Sequence, residues 1–271
     1  MRMIFILAAS AAVLAAGCGK KEAAGAAAPA GGAAPVEAGA APAPSAPRAE
    51  LEAMRAAIAV VDMAPDTSFL TIEEARVVNL LNEAALLMNE IYLRQISEDN
   101  PKIRAEIAAS AHPDKEILLD LFDLHFGPWN TLDHDAPFYG TAQKPAGAAF
   151  YPADMTKEEF EAHIAAHPED KAAFTSGYTV IRRDESGALK AIPYSVYYRE
   201  WLEPAADLLR QAAAVSKNAS MKKFLKLRAD AFLSDDYYES EMAWMDLDGP
   251  IEIAIGPYEV YTDGLFGYKT A

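Results

Sequence analysis

A long amphipathic pattern that follows a helix-capping sequence sets the narrowest limits on the fold. Thr71-Ile-Glu-Glu74 matches a capping box, in which the Thr71 side chain caps the helix and the Glu74 side chain reaches back. Apolar residues then recur at spacings of three and four, with others widening the stripe: Val77, Val78, Leu81, Ala84, Ala85, Met88, Ile91 and Tyr92. So wide a stripe predicts a largely buried helix as far as Gln95, against which other helices must pack.

Shorter patterns predict the other elements of the folded part. Further helices are expected over residues 50–64, 101–111, 114–126, 156–167, 194–216 and 220–234. Pro204 lies inside the fifth of these, residues 194–216, so a kink or a break is expected there. Residues 178–192 are typical of a β-hairpin, and residues 126–154 form a long irregular stretch of a kind that is commonly functional. This ratio of predicted helices to strands indicates an α+β fold that is mostly α, with a small antiparallel sheet or a partial β-barrel.

The N-terminus reads as a processing signal. A basic Arg2 precedes an apolar run over residues 4–16, which is too short for a transmembrane helix. The run ends at Cys18 and resembles a bacterial lipoprotein box, although the usual leucine lies one place too far from the cysteine. Residues 1–18 are therefore expected to be a lipoprotein signal, with the mature chain anchored to a membrane of the bacterial cell envelope by lipid on Cys18. A plain secretory signal cut near Ala16 is the alternative.

Residues 19–48 are rich in Ala, Pro and Gly and contain no aromatic residue, so they are expected to form a disordered tether. The folded domain is then expected over residues 49–271. The formal net charge is −16 and the isoelectric point is about 4.7. Because phosphate binding needs a basic face, this charge excludes nucleic acid as a partner and favours cationic ligands.

Most catalytic signatures are absent from the sequence. There is no His-Glu-x-x-His, no nucleophile elbow and no phosphate-binding loop, and Cys18 is the sole cysteine. His163 and His167 lie four residues apart on a predicted helix, so they could share a metal ion or simply end a solvated helix. Carboxylates at Asp235, Asp236, Glu239 and Glu241 could likewise bind calcium, perform acid–base chemistry or face water.

The closing stretch combines a strand pattern with carboxylates and aromatic rings. Ile251, Ile253 and Ile255 alternate with less apolar residues, and Gly256-Pro257 then ends the pattern. Tyrosines, carboxylates and two further glycines follow as far as Lys269. The pattern suits either an ordinary hairpin with packed tyrosines or one wall of a binding cleft.

Eight segments, in this order, resemble bacterial members of the dipeptidyl-peptidase III family of zinc peptidases. They are Gly127-Pro-Trp-Asn-Thr-Leu-Asp133, Lys144-Pro-Ala-Gly147, Phe150-Tyr-Pro-Ala-Asp-Met-Thr-Lys-Glu-Glu-Phe160, Tyr178-Thr-Val-Ile-Arg-Arg-Asp184, Arg228-Ala-Asp-Ala-Phe232, Asp235-Asp-Tyr-Tyr-Glu239, Met242-Ala-Trp-Met-Asp246 and Ile255-Gly-Pro-Tyr-Glu-Val-Tyr-Thr-Asp263. The resemblance extends over residues 71–269.

The family removes dipeptides from peptide N-termini and has two lobes, of which the lower contains many helices and a small β-barrel. Its zinc motif, His-Glu-x-x-Gly-His, and a second motif, Glu-Glu-x-x-x-Glu/Asp, lie C-terminal to a Glu-x-Tyr segment. Neither occurs in these 271 residues. The resemblance therefore implies that residues 49–271 are an N-terminal, mostly lower-lobe part truncated before the zinc motif. It also implies a chain that has no catalytic residues, binds no zinc and is inactive by itself.

The Glu-x-Tyr segment corresponds to Glu259 and Tyr261 in this sequence. The resemblance implies that Glu259 holds the free amino end of a peptide substrate and that Tyr261 contacts the peptide near its scissile carbonyl. Both roles are chemically reasonable, since a carboxylate pairs with an ammonium and a phenol donates to an oxygen. The alternative is a non-catalytic lipoprotein of the envelope that binds peptides or another partner through the same lobe.

Overall fold

The computed structural model describes residues 4–7 and 43–271. Cys18 and most of the expected signal and tether lie outside these residues. The helices are α1 (Arg48–Ala56), α2 (Ile72–Ile96), α3 (Asn100–Ala109), α4 (Lys115–His125), α5 (Lys157–Ala166), α6 (Lys171–Thr175), α7 (Tyr194–Tyr197), α8 (Arg199–Val215), α9 (Ala219–Ser234) and α10 (Tyr238–Met245). The strands are β1 (Ile4–Leu7), β2 (Trp129–Asn130), β3 (Ala136–Pro137), β4 (Thr179–Arg183), β5 (Leu189–Pro193) and β6 (Ile251–Ala254).

Helix α2 is the centre of the fold, as its sequence pattern predicts. The capping box is present, because the Thr71 side chain accepts from the Glu74 amide and the Glu74 carboxylate accepts from the Thr71 amide. The predicted stripe is buried at Val77, Leu81 and other positions, and this face packs against α8, which in turn packs against α9. A smaller core joins α1, α3 and α4.

The strands form three separate two-stranded ladders. Strands β4 and β5 make the predicted antiparallel hairpin, with Thr179 opposite Pro193 and Arg183 opposite Leu189. Strands β2 and β3 are also antiparallel, whereas β1 and β6 are parallel. Within residues 4–7 and 43–271 the ladders do not close into a barrel. The architecture is thus mostly helical with small sheets, as the sequence predicts.

Two helix predictions are wrong in their details. The helix expected over residues 50–64 ends at Ala56, and beyond it Val60, Val61 and Met63 are exposed and find no core to cover them. The helix expected over residues 194–216 breaks between α7 and α8 rather than at Pro204. Pro204 lies early in α8, where its missing N–H costs one hydrogen bond without ending the helix.

Two other regions carry more order than their sequences predict. The irregular stretch over residues 126–154 contains the β2–β3 ladder and a short 3₁₀ turn at Ala148–Phe150. The C-terminal end of the expected tether, from residue 43, lies against this stretch, where the Ala46 amide donates to the Phe138 carbonyl and the Gly140 amide to the Pro44 carbonyl. Among the described helices, none combines the length and apolarity needed to span a membrane.

Candidate functional site

The candidate site is built on the segment that leaves β6. Ile251, Ile253 and Ile255 are buried while Glu252 and Ala254 are partly exposed, which confirms the predicted alternation. Gly256 then turns the chain with φ of +146°. A Cβ at this position would collide with Nη1 of Arg228, so both the conformation and the space require glycine.

Arg228, on α9, ties the end of β6 to α10. Its side chain is fully buried, its Nη1 donates to the Ile255 carbonyl at 2.9 Å, and its Nη2 pairs with the Glu241 carboxylate at 2.6 Å. The guanidinium also lies 5.3 to 5.4 Å from three aromatic rings, those of Phe224, Tyr237 and Tyr258. A buried charge needs such partners, and they fix the point at which the chain enters the site.

Asp263 shapes the loop that follows. It is 3% exposed, and its two oxygens accept from four backbone amides at 2.9 to 3.1 Å, those of Leu265, Phe266, Tyr268 and Lys269. The same carboxylate accepts from the Tyr151 hydroxyl at 2.7 Å. Burial, reinforced by this hydrogen bond, raises the pKa of Tyr151, so the phenol stays a donor. One carboxylate thus holds the loop in a single conformation.

Lys269 anchors the far end of the loop to the β4 side of the core. Its fully buried Nζ lies 2.6 Å from the Phe174 carbonyl, 2.9 Å from the Ser176 carbonyl and 2.7 Å from Oγ1 of Thr179. Burial lowers the pKa of Lys269 to about 7, against the opposing effect of Asp263. The three oxygens match the three donors of an ammonium.

Backbone hydrogen bonds join the two ends of the loop, at Glu259 and at Ala271. The Ala271 amide donates to the Glu259 carbonyl at 2.8 Å, and the Tyr258 amide donates to the Ala271 carbonyl at 3.1 Å. The backbone of Glu259 is therefore fixed, while its side chain and that of Tyr261 are exposed; Tyr261 is 87% exposed. The tyrosine that the hairpin interpretation would pack across a strand instead projects into solvent.

Glu259 and Tyr261 both line a cavity of about 600 Å³. Helix α2 and the segment from β6 to Ala271 contribute most of the other lining residues. The lining is rich in aromatic and aliphatic side chains, including Tyr92, Tyr194, Tyr198, Leu202, Phe232, Tyr237 and Trp244. Glu241 and Glu259 are the charged side chains of this lining, and both are acidic. An apolar cavity with carboxylates is suited to a ligand that joins an apolar body to a cation.

A second cavity, of about 230 Å³, lies where the first turn of α2 meets the start of α9. Its lining holds both Lys217 and Glu73, which form an ion pair with each other. Neither Glu259 nor Tyr261 borders it.

The alternative metal sites do not gain a third ligand within residues 43–271, although the rings of His163 and His167 lie 4.8 Å apart. His163 stacks on Phe174 at 4.3 Å between ring centroids, and its Nε2 lies 3.0 Å from the Asp170 carboxylate. Asp235 accepts a hydrogen bond from the Ser195 amide at 2.9 Å, and the Glu241 carboxylate forms an ion pair with Arg228. Throughout residues 43–271, no three His, Cys, Asp or Glu side chains come close enough to hold a metal ion. The described residues therefore do not fit a zinc ion.

The residues that support the site differ in how visible they are in the sequence. Arg228 lies four residues after Phe224 and four before Phe232, on the same face of the predicted helix. A charged residue on this apolar face could have indicated from the sequence that Arg228 is buried. Asp263 and Lys269 lie in the closing stretch but carry no spacing that predicts burial, because their partners come from distant segments.

Comparison with known proteins supports the family resemblance. No protein-family sequence model matches the chain. The solved structure of dipeptidyl-peptidase III from Caldithrix abyssi superposes with a TM-score of 0.80 and 52% identity, covering 81% of this chain and 42% of that one. Dipeptidyl-peptidase III from Corallococcus sp. strain EGB superposes with a TM-score of 0.79 and 43% identity, covering 82% and 42% respectively.

A curated plant protein, Nudix hydrolase 3 of Arabidopsis thaliana, is 33% identical to this chain over an alignment of 247 residues. The match covers 72% of this chain and 32% of that protein. Most of the plant protein lies outside the aligned region, so the name of that protein refers to a chain of which the shared region is a minor part. Against the solved peptidases, the chain likewise spans about two fifths of their length. Sequence identity and fold agree over residues 43–271, and this agreement supports membership of the dipeptidyl-peptidase III family.

Proposed function

We propose that this chain supplies the N-terminal, lower-lobe part of a dipeptidyl-peptidase III-like zinc-dependent metallopeptidase and carries one wall of its peptide-binding cleft. The observation that carries the proposal is the placement of Glu259 and Tyr261 together at one acidic, largely apolar cavity, on a loop whose backbone is fixed. The substrate is a peptide with a free N-terminus.

Glu259 is the group that binds the peptide's ammonium. Its side chain is exposed at the cavity, and its backbone is held by Ala271, so little conformational entropy is lost when a ligand pairs with it. A charge-assisted hydrogen bond between carboxylate and ammonium is stronger than a neutral one. The second acidic lining residue, Glu241, is paired with Arg228, so Glu259 supplies most of the negative potential at the ligand.

Tyr261 is the group that contacts the peptide backbone. Its side chain is almost fully exposed two residues after Glu259, so its hydroxyl is free to donate to a carbonyl of a bound peptide. Zinc-dependent hydrolysis requires further groups, because no three His, Cys, Asp or Glu side chains within residues 43–271 are placed to hold a metal ion. We assign those groups to sequence other than these 271 residues.

Zinc analysis and turnover test the catalytic half of the proposal. We expect the purified 271-residue chain to contain substoichiometric zinc after dialysis against zinc sulfate and to release no dipeptide from a dipeptidyl-naphthylamide substrate. One bound zinc per chain together with turnover would overturn it.

Substitution at the wall tests the binding half. Glu259→Gln keeps the shape and removes the charge, so we expect affinity for Ala-Ala-Ala to fall roughly two- to fivefold, the range for an exposed ion pair. Tyr261→Phe should weaken binding by a smaller factor. Glu239→Gln, an exposed change on α10 outside the cavity lining, is the matched control and should leave the affinity unchanged. Equal affinities for all four proteins would sink the assignment of Glu259.

The alternative is a non-catalytic lipoprotein that binds peptides through the same wall. Reading the DNA beyond the Ala271 codon separates the two: a segment encoding His-Glu-x-x-Gly-His supports the peptidase, and unrelated sequence supports the binding protein. In either case we propose an anchor in the bacterial envelope through lipid on Cys18. Metabolic labelling with a radioactive fatty acid should mark the native chain and not Cys18→Ser.

A further inference from the structure

One edge of β6 is covered by side chains from the neighbouring helices. Trp244 on α10 donates from Nε1 to the Ile253 carbonyl at 3.1 Å, and Arg228 on α9 donates to the Ile255 carbonyl at 2.9 Å. Because the backbone groups of successive residues in a strand point to opposite edges, Glu252 and Ala254 direct theirs to the second edge. This second edge is termed the Glu252 edge.

The Glu252 edge accepts a strand. Within residues 4–7 and 43–271 the partner of β6 is β1, which runs parallel to it with Phe5 opposite Glu252 and Leu7 opposite Ala254. Strand β1 belongs to the segment that the sequence predicts to be removed as a signal. An edge without a partner exposes N–H and C=O groups that pair with any extended chain. The processed chain therefore needs another occupant for this edge.

The backbone at Ala271 points to that occupant. The amides of Tyr258 and Glu259 both donate to the Ala271 carbonyl, at 3.1 and 3.4 Å, and the Ala271 amide donates to the Glu259 carbonyl at 2.8 Å. Two residues opposite one, with both amides on the same oxygen, are typical of a β-bulge in an antiparallel ladder. The chain at Ala271 thus runs antiparallel to the segment that leaves β6, and it is directed back towards β6.

The bulge and the Glu252 edge lie on the same side of the chain. Tyr258 follows Ala254 by four residues, and alternate residues of an extended chain face the same edge. Gly256 bends the chain between them, as strands commonly bend beside a bulge. A ladder that continues from Ala271 would therefore meet β6 at the edge that β1 occupies.

We propose that the Glu252 edge is the docking surface for an antiparallel strand formed by the polypeptide that continues beyond Ala271, and that Ile4–Leu7 holds this edge in its absence. The inference rests on the proposed function, which places this chain within a longer peptidase; the chain spans about two fifths of the solved relatives. The N-terminal segment and the later strand then exclude each other, so removal of the first clears the edge for the second.

The bulge also sets the register of the proposed strand. Because Tyr258 and Glu259 together lie opposite Ala271, Ile255 lies opposite the third residue after Ala271, and Ile253 and Ile251 lie opposite the fifth and the seventh. All three isoleucines are buried, and residues opposite each other in a ladder share a face. The partner strand is therefore expected to be apolar at its third, fifth and seventh positions.

A cysteine pair tests the docking in the chain extended through the codons that follow Ala271. In a Cys18→Ser background, Ala254→Cys is combined with a cysteine at the fourth residue after Ala271, which the register places opposite it. We expect a disulfide, detected by mass spectrometry of the linked peptides after digestion. A cysteine at the fifth residue points to the other face and is the matched control, so it should cross-link roughly tenfold less.

Competition with β1 is the second measurement. Phe5→Pro together with Ile6→Pro keeps the chain at full length and removes ladder N–H groups from β1. In the 271-residue chain this change should speed hydrogen exchange of the Glu252 and Ala254 amides roughly tenfold or more. In the extended chain the exchange should stay slow and the disulfide yield should rise. Fast exchange in the extended chain, or equal cross-linking at the two cysteine positions, would overturn the inference.

The downstream sequence distinguishes failure of this inference from failure of the proposed function. If it encodes His-Glu-x-x-Gly-His but the cross-link does not form, the proposed function stands and the strand falls. If the cross-link forms in a chain whose continuation lacks that motif, the strand is supported and the peptidase falls. A stop codon directly after Ala271 overturns both.

Discussion

Replacing Asp263 with alanine should destabilise the chain more than an ordinary single substitution. The carboxylate satisfies four loop amides and the Tyr151 hydroxyl at once. Alanine leaves all five donors without their partner and opens the segment between Glu259 and Lys269. The perturbation therefore tests whether the loop that presents the candidate site is held by this one side chain.

The size of the effect follows from the burial of the donors. The Tyr151 hydroxyl and the Lys269 amide belong to buried residues, whereas Tyr268 is exposed and its amide can turn to water. Leaving a buried donor unsatisfied costs about 1–3 kcal/mol. Two such donors predict that Asp263→Ala lowers the free energy of unfolding by about 4 kcal/mol. Asp263→Asn keeps one acceptor oxygen and should lose about half as much.

Urea denaturation followed by circular dichroism measures these free energies of unfolding. Asp62→Asn, which removes an exposed acidic group, is the control and should change stability by less than about 0.5 kcal/mol. The affinity for Ala-Ala-Ala should fall with Asp263→Asn, although Asp263 does not line the cavity. A loss below about 1 kcal/mol for Asp263→Ala would refute the reasoning, because it would show that the loop donors find other partners.

Two further predictions concern groups outside the loop. Burial lowers the pKa of His125, so the unfolded chain takes up a proton near pH 6.5 and the folded chain only at a lower pH. Stability should therefore fall as pH drops from 7.5 to 5, and His125→Gln should reduce that slope in urea melts. An identical slope in both proteins would show that His125 contributes nothing. Gly256→Ala should cost about 2–4 kcal/mol, since it forces a side chain into left-handed backbone against Arg228, while Gly187→Ala, at φ of +86° in open space, should cost only about 1 kcal/mol. Equal costs at the two glycines would rule out the predicted collision with Arg228.

Much of the fold could be predicted from local sequence patterns. The capping box and stripe of α2, the β4–β5 hairpin and the alternation of β6 depend on neighbours in sequence, and each appears as predicted. A second capping-box pattern in the sequence, Thr156-Lys-Glu-Glu159, shows the limit of local prediction. Thr156 caps α5 by accepting from the Glu159 amide, but the Glu159 carboxylate pairs with Arg183 instead of returning to the cap. A stronger partner 24 residues away replaced the local bond.

The site was predictable only in part for the same reason. The family resemblance indicated Glu259 and Tyr261, and the structure places both at one cavity. The groups that hold them there are long-range: Tyr151 reaches Asp263 across 112 residues, and Lys269 reaches Phe174 across 95. The Tyr198 hydroxyl makes no hydrogen bond within the described residues. This follows from how the surrounding side chains pack, and no pattern in the sequence indicates it.

Peptide binding with and without a free amino group, in the absence of metal, tests the central claim most directly. The measurement titrates the 271-residue chain with Ala-Ala-Ala and with N-acetyl-Ala-Ala-Ala, each with and without EDTA. The account predicts that the free-amine peptide binds, that acetylation weakens binding by roughly the two- to fivefold assigned to the ion pair, and that EDTA changes neither value. Equal affinity for the two peptides, or loss of binding in EDTA, would contradict it.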